Sequence, residues 1–185
     1  WQESLDTSVT AATLFRRLGV GETAVVAYLL PICSEAALTL VGGSISGIAN
    51  PINPLLEQDQ IAAILRETNA KVLVTLRGFP KTDLPQLAAD AVAQAPNVQT
   101  VLEVDLNRYL TPPKSWIVPL IRPKVTVTHA AQVLDFNTEL AKQNRILDFQ
   151  DATEDRVAAY FHTGGTTGMP KVAQHKYSGI VYNGW

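Results

Sequence analysis

Short, largely apolar runs alternating with helix-length amphipathic segments constrain this chain more than any other feature. The runs cover 24–30, 46–50, 72–75, 100–104 and 157–161, and Pro31 and Pro51 stop the first two abruptly. Each is too short for a helix; Ser46 to Asn50 is only a brief strand, but the others are rich in Val, Leu or Ala, the pattern of buried strands in a parallel sheet. Between them lie helical patterns. Asp6-Thr7-Ser8 offers an N-cap for a helix through Leu14, Phe15 and Leu18, closed by Gly19. Ser34 to Val41 reads as a helix of small residues ended by Gly42 and Gly43. From Glu57 to Thr68, Ile61, Ala62, Ile64 and Leu65 recur at helical spacing, with Asn69 as a stop; from Asp83 to Gln94, Asp83 caps and Pro85 sits in the first turn. This alternation predicts an α/β fold, a mainly parallel β-sheet with helices on both faces.

The rhythm breaks over 105–128. Pro112, Pro113, Pro119 and Pro123 interrupt a stretch holding Trp116, Ile117, Val118, Leu120 and Ile121 between Lys114, Arg122 and Lys124. This predicts a proline-rich irregular insertion, packed on its own domain or mobile. The alternative is weak membrane-surface contact through 112–123, where cations flank apolar residues. Helical spacing resumes over 130–143, and 151–156 leads into the last run.

Directly after that run comes His162-Thr163-Gly164-Gly165-Thr166-Thr167-Gly168-Met169-Pro170-Lys171. Glycines let successive backbone N–H groups turn toward one anion without Cβ interference. Threonine hydroxyls add donors that can also ligate a phosphate-borne metal, and lysine adds a mobile cation. Glycine-rich surface turns are common, but they rarely carry Thr-Thr between glycines and Pro-Lys behind. The spacing excludes the P-loop of Walker NTPases: Met169-Pro170 separates Gly168 from Lys171, and Val172 stands where a hydroxyl should follow the lysine. Val172-Ala173 instead reads as the start of an extended segment. A Gly-x-Gly-x-x-Gly dinucleotide fingerprint is absent. The segment is therefore a nucleotide-triphosphate loop of another kind, with Thr163, Gly164, Gly165, Thr166, Thr167, Gly168 and Lys171 as its binding residues.

Other chemistry is sparse. His129, His162 and His175 lack metal-ligand spacing; a histidine hydrogen-bonded at a strand end is the expectation for His162, with a pocket-lining role as the alternative. Cys33 is the single cysteine, so no intrachain disulfide forms, and a buried inert thiol is expected. Asp105, Asp148, Asp151, Glu154 and Asp155 form no readable carboxylate pair, Ser178 lacks a hydrolase nucleophile's surroundings, and Tyr182 and Trp185 are expected in core contacts. A net charge of −2 gives no basic excess for nucleic acid. The composition predicts a cytoplasmic enzyme, with membrane-peripheral attachment as the alternative. The absence of an initiator methionine, with a chain end so soon after the loop, leads to the expectation of a piece of a longer polypeptide.

Thr163 to Lys171 resembles the signature of the adenylate-forming superfamily, which includes acyl-CoA synthetases, adenylation domains and luciferases. It takes the Gly164-Gly165 form similar to fatty-acyl-CoA ligases. The run from Val25 to Pro31 and the turn Gly47-Ile48-Ala49-Asn50-Pro51-Ile52-Asn53-Pro54 are similar to the family's early strand and proline-rich turn. Two positions depart from the pattern: Val172 replaces the usual glycine, and Lys176-Tyr177 stands where Thr-His commonly follows. The resemblance implies that residues 1–185 are an incomplete N-terminal AMP-binding domain without its C-terminal domain. It implies an acid–thiol ligase that uses ATP, Mg2+ and coenzyme A to make an acyl-adenylate and then a thioester. The acid would be fatty, of medium or long chain. The catalytic and metal-ligating residues would lie downstream of Trp185. Two alternatives stay open: an enzyme loading a carrier-protein thiol, and a non-catalytic nucleotide-binding fragment.

Overall fold

The computed structural model describes residues 2–122, 130–150, 154–163 and 171–183. Strands β1 (Val25–Leu29), β2 (Ile48–Pro51), β3 (Ala70–Leu76), β4 (Thr100–Val104), β5 (Gln132–Asp135), β6 (Val157–Thr163) and β7 (Lys171–Lys176) form a seven-stranded sheet in the order β5-β4-β3-β1-β2-β6-β7. All neighbouring pairs are parallel except β6 with β7, which is antiparallel. The helices are α1 (Gln2–Arg17), α2 (Ser34–Ser46), α3 (Gln58–Glu67), α4 (Leu84–Ala93), α5 (Lys114–Ile121), α6 (Phe136–Ala141) and α7 (Tyr177–Asn183), with a 3-10 turn over Leu106–Tyr109.

The crossover β1–α2–β2 advances toward β6, and β2–α3–β3 returns across β1. Right-handed connections therefore place α2 and α3 on opposite faces. Packing agrees: α1 lies on α2 and α6, whereas α3 lies on α4. The core fills both layers. Phe15 of α1 meets Phe136 of α6 with ring centroids 6.4 Å apart, and Ile61, Ile64 and Leu65 of α3 are fully buried on the other side. The α/β architecture predicted from the alternation is the one observed.

Several local expectations are corrected. Helix α1 starts at Gln2, so Asp6-Thr7-Ser8 lies inside it rather than capping it. The hydroxyls of Thr7, Ser8 and Thr10 donate to carbonyls four residues back. Gly19 does close the helix, at φ +86°. Gly42 and Gly43 do not end α2, which continues to Ser46. A Cβ on Gly42 would stand 2.7 Å from Ala11 Cβ, and one on Gly43 2.5 Å from Val26 Cγ1. They are glycines so that α2 can lie close to both α1 and the sheet. Asp83 precedes α4 without a side-chain cap; Thr82 Oγ accepts from Leu84 N–H instead.

The helical spacing read over 130–143 divides into strand and helix. The open edge of β4 pairs Gln132–Asp135 in parallel, and Asp135 then caps α6 by accepting from Thr138 N–H at 2.8 Å. The 105–128 insertion is also more regular than its prolines suggest. Pro119 sits inside α5 and leaves the Ser115 carbonyl without its helical donor, and Asn107 Nδ2 supplies one at 3.1 Å. Val118 of α5 is buried, but Trp116, Ile117, Leu120 and Ile121 are exposed, so its apolar side is not packed on the domain as expected. Tyr182 is exposed rather than in the core, and Trp185 lies outside the described residues. No helix among the described residues is long and apolar enough to cross a membrane.

Candidate functional site

Because β6 runs parallel to β2, Thr163 leaves the sheet at the edge where β1, β2, β3 and β4 also end. In doubly wound sheets this carboxyl edge binds ligands, near the point where strand order reverses, here at β1. The chain then turns back as β7, the extended segment expected at Val172-Ala173. Thr163 is the register partner of Lys171, and His162 of Val172. Directly opposed residues share a face of the sheet, so Thr163 and Lys171 project together on one side and His162 and Val172 on the other. The hydroxyl and the cation at the two ends of the predicted loop are thus brought side by side, and both residues are exposed. Gly164, Gly165, Thr166, Thr167 and Gly168 lie outside the described residues.

His162 is held at the strand end, as expected, by a residue that sequence spacing did not single out for it. Its Nε2 lies 2.6 Å from Asn50 Oδ1. Asn50 is fully buried on β2, and its Nδ2 donates to Thr68 Oγ at 3.2 Å. Burial pushes the His162 imidazole below its ordinary pKa, against the nearby Glu67 charge.

The same edge carries two adjoining clefts of about 370 and 350 Å³. Pro31, Phe79 and Leu106 line both. Cys33 and Ser34 line the smaller one. Cys33 is half-buried rather than buried, and burial raises its thiol pKa, so it stays protonated and is a poor nucleophile. Glu35 is 1% exposed and its carboxylate is fully engaged: Arg108 donates at 2.9 Å, Tyr109 Oη at 2.8 Å and Asn137 Nδ2 at 3.4 Å. Arg108 also donates to Asn137 Oδ1. This cluster pins the 3-10 turn and α6 onto the first turn of α2. Nearby, Arg122 grips both oxygens of Asp105, at 2.6 and 2.7 Å. Burial works to raise the Asp105 carboxyl, but the Arg122 bonds and the Asn107 amide outweigh it and hold the group below its ordinary range. Sequence spacing did not reveal the Glu35 cluster, because the partners of Glu35 lie 73 to 102 positions from it in the chain; the Asp105–Arg122 pair, 17 positions apart, is joined only once the irregular insertion folds back through α5. Among the described residues, no three His, Cys, Asp or Glu side chains converge as a metal site.

A mainly parallel sheet wound on both faces, with a glycine- and threonine-rich segment joining two strands at its carboxyl edge, is the pattern of a nucleotide-handling α/β protein. Comparison with known proteins narrows the class. The sequence model of the AMP-binding enzyme family matches residues 1–185, and the chain belongs to that family. It is 36% identical over 184 residues to marinolic acid–CoA ligase of Pseudoalteromonas sp. (strain SANK 73390), covering 98% of this chain and 25% of that protein. It is 29% identical over 170 residues to the long-chain-fatty-acid–CoA ligase of Bacillus subtilis (strain 168), covering 85% of this chain and 28% of that protein. The crystal structure of anthranilate CoA ligase AuaEII, in complex with anthranoyl-AMP, has the same fold. Its TM-score is 0.71 at 20% identity, over 95% of this chain and 29% of that one. The chain thus spans about a quarter of the length of the curated relatives it matches.

Proposed function

We propose that this chain is the phosphate-binding part of an ATP-dependent acid–thiol ligase, which converts a carboxylic acid to its acyl-adenylate and then to the coenzyme A thioester. The family match over residues 1–185 carries the reading, and the pairing of Thr163 with Lys171 at the turn between β6 and β7 supports it. The B. subtilis relative and the Gly164-Gly165 form of the turn favour a fatty acid as substrate.

In this reading the acid's carboxylate attacks the α-phosphorus of ATP and pyrophosphate leaves. Backbone N–H groups of Gly164, Gly165 and Gly168, with the hydroxyls of Thr163, Thr166 and Thr167, hold the β- and γ-phosphates. Thr166 or Thr167 would help orient a Mg2+ carried by the phosphates. Lys171, aligned with Thr163, stabilises the charge that grows on the leaving group, where a preorganised cation is worth most. The thiol of coenzyme A then attacks the acyl carbonyl and displaces AMP.

Lys171 tests the assignment. In a polypeptide of the relatives' length, Lys171→Ala should slow acid-dependent pyrophosphate release by about a hundredfold, the scale of losing one transition-state contact. Its unfolding midpoint should stay near wild type, because Lys171 is exposed. Unchanged pyrophosphate release would remove Lys171 from the mechanism.

A further inference from the structure

We propose that His162 is a positioning residue for Thr163 at the end of β6, held as a neutral Nε2–H tautomer by Asn50 and Thr68, so that β6 delivers Thr163 in one fixed place beside Lys171; this rests on the reading of Thr163 to Lys171 as a phosphate-binding segment. One hydroxyl proton decides the arrangement. Thr68 Oγ donates it to the Ile64 carbonyl at 2.8 Å, so the same oxygen accepts from Asn50 Nδ2 at 3.2 Å. The amide of Asn50 is thereby oriented, with Nδ2 toward Thr68 and Oδ1 toward His162. Oδ1 has no proton to give, so its 2.6 Å contact places hydrogen on His162 Nε2.

The other ring nitrogen is then a bare lone pair. Nδ1 is buried and no acceptor among the described residues faces it, which fits a ring that carries its hydrogen on Nε2 and has no second N–H to satisfy. Burial favours that neutral form. The anchor is an interior one: Asn50 lies on β2, the fifth of the seven strands, between β1 and β6, and is fully buried.

Alternation along β6 turns His162 away from the face that carries Thr163 and Lys171. The imidazole therefore does not meet phosphate held on that face. Its effect passes through the backbone at the end of β6, which fixes the start of the turn against the middle of the sheet. Small displacements of such a support are costly, because phosphate contacts need near-ideal placement.

The chain itself suffices for the test. Proton–nitrogen NMR at neutral pH should show a slowly exchanging Nε2–H and an unprotonated Nδ1 for His162. His162→Gln keeps an N–H donor near the Nε2 position and should leave the Lys171 amide resonance close to wild type, whereas His162→Ala and Asn50→Leu should shift it. His162 is half-buried at a strand end, so His162→Ala keeps the test open if the buried Asn50→Leu fails to fold. A wild-type ring protonated on Nδ1, or a folded His162→Ala chain with an unmoved Lys171 amide, overturns the proposal. Titrating the same samples with magnesium pyrophosphate separates the two readings. Binding that falls about tenfold in His162→Ala and recovers in His162→Gln supports positioning, and equal binding by all three overturns it. Failure of the wild type to bind, with the NMR pattern as expected, counts against the phosphate-binding turn and leaves the His162 anchor established.

Discussion

At the scale of single residues, close approach matters as much as chemistry. Gly43 lies in the interior of α2, where a glycine costs roughly 1 kcal/mol relative to alanine. It is retained because a Cβ there would stand 2.5 Å from Val26 Cγ1 and 3.3 Å from Ala49 Cβ. Both neighbours are fully buried strand residues, and Val26 is β-branched, so neither can swing aside. Gly43→Ala should therefore destabilise the chain by about 1–2 kcal/mol, the overpacking cost outweighing the helix-propensity gain. Gly179 is the contrast: it lies in α7 with nothing within 4 Å of a Cβ. Gly179→Ala should be neutral or stabilising by up to about 1 kcal/mol. Urea denaturation of both variants checks the pair, and a Gly43→Ala chain as stable as wild type would refute the close-packing account. A sequence shows two adjacent glycines and nothing of what lies above them, which is why Gly42 and Gly43 read as a helix end.

At the scale of elements, the pieces are joined by side chains that cap and cross-link. Arg156 donates to the carbonyls of Ser44 and Ile45 at 2.9 Å and of Gly47 at 2.5 Å, all at the C-terminal end of α2. It also lies 5.0 Å from the ring centre of Tyr177, whose hydroxyl donates to Ser44 O. A cation is favoured at a helix C-terminus, and here one guanidinium ties α2 to the start of β6 and the end of β7. Arg156→Ala should cost about 3 kcal/mol, because it strips donors from several carbonyls at once. Arg156→Lys should recover only part of it, since an ammonium lacks the planar fork; the denaturant midpoints of the two variants measure this, and equal stability of Arg156→Lys and wild type would refute the fork's role. The strands β1, β3 and β4 were legible in the sequence because burial on both faces leaves an apolar run that needs no knowledge of its neighbours. β5 was not: Gln132–Asp135 is a strand because β4 offers an open edge about thirty positions earlier, and its own spacing fits a helix. Likewise α5 exists with Pro119 inside it because Asn107 covers the carbonyl that proline leaves bare. Of the candidate site, Thr163 and Lys171 were legible from composition and spacing. The Asn50–His162 contact joins residues 112 positions apart, and only the sheet reveals it.

At the scale of the whole molecule, the described residues form one sheet that brings Thr163 and Lys171, the two ends of the candidate phosphate segment, to its carboxyl edge, in a chain a quarter the length of its curated relatives. The proposed reaction asks for more than a phosphate grip. The α-phosphorus has to be presented to a carboxylate, the acid's own chain needs a pocket, and the thiol has to reach the acyl carbonyl with water kept out. Thr163 and Lys171 are exposed at the carboxyl edge, and Phe161, two residues before Thr163 on the same face of β6, is also open to solvent. Such a surface neither encloses a reactive acyl-adenylate nor excludes water from it. The 185-residue chain on its own should therefore form no acyl-CoA thioester. The check is incubation with magnesium ATP, coenzyme A and a series of fatty acids, with the thioester measured directly against a Lys171→Ala control. A polypeptide of the relatives' length that carries this segment should form the thioester under the same conditions and lose most of that activity with Lys171→Ala. Turnover by the short chain, abolished by Lys171→Ala, would show that the turn and its sheet hold a complete site and would overturn this division of labour.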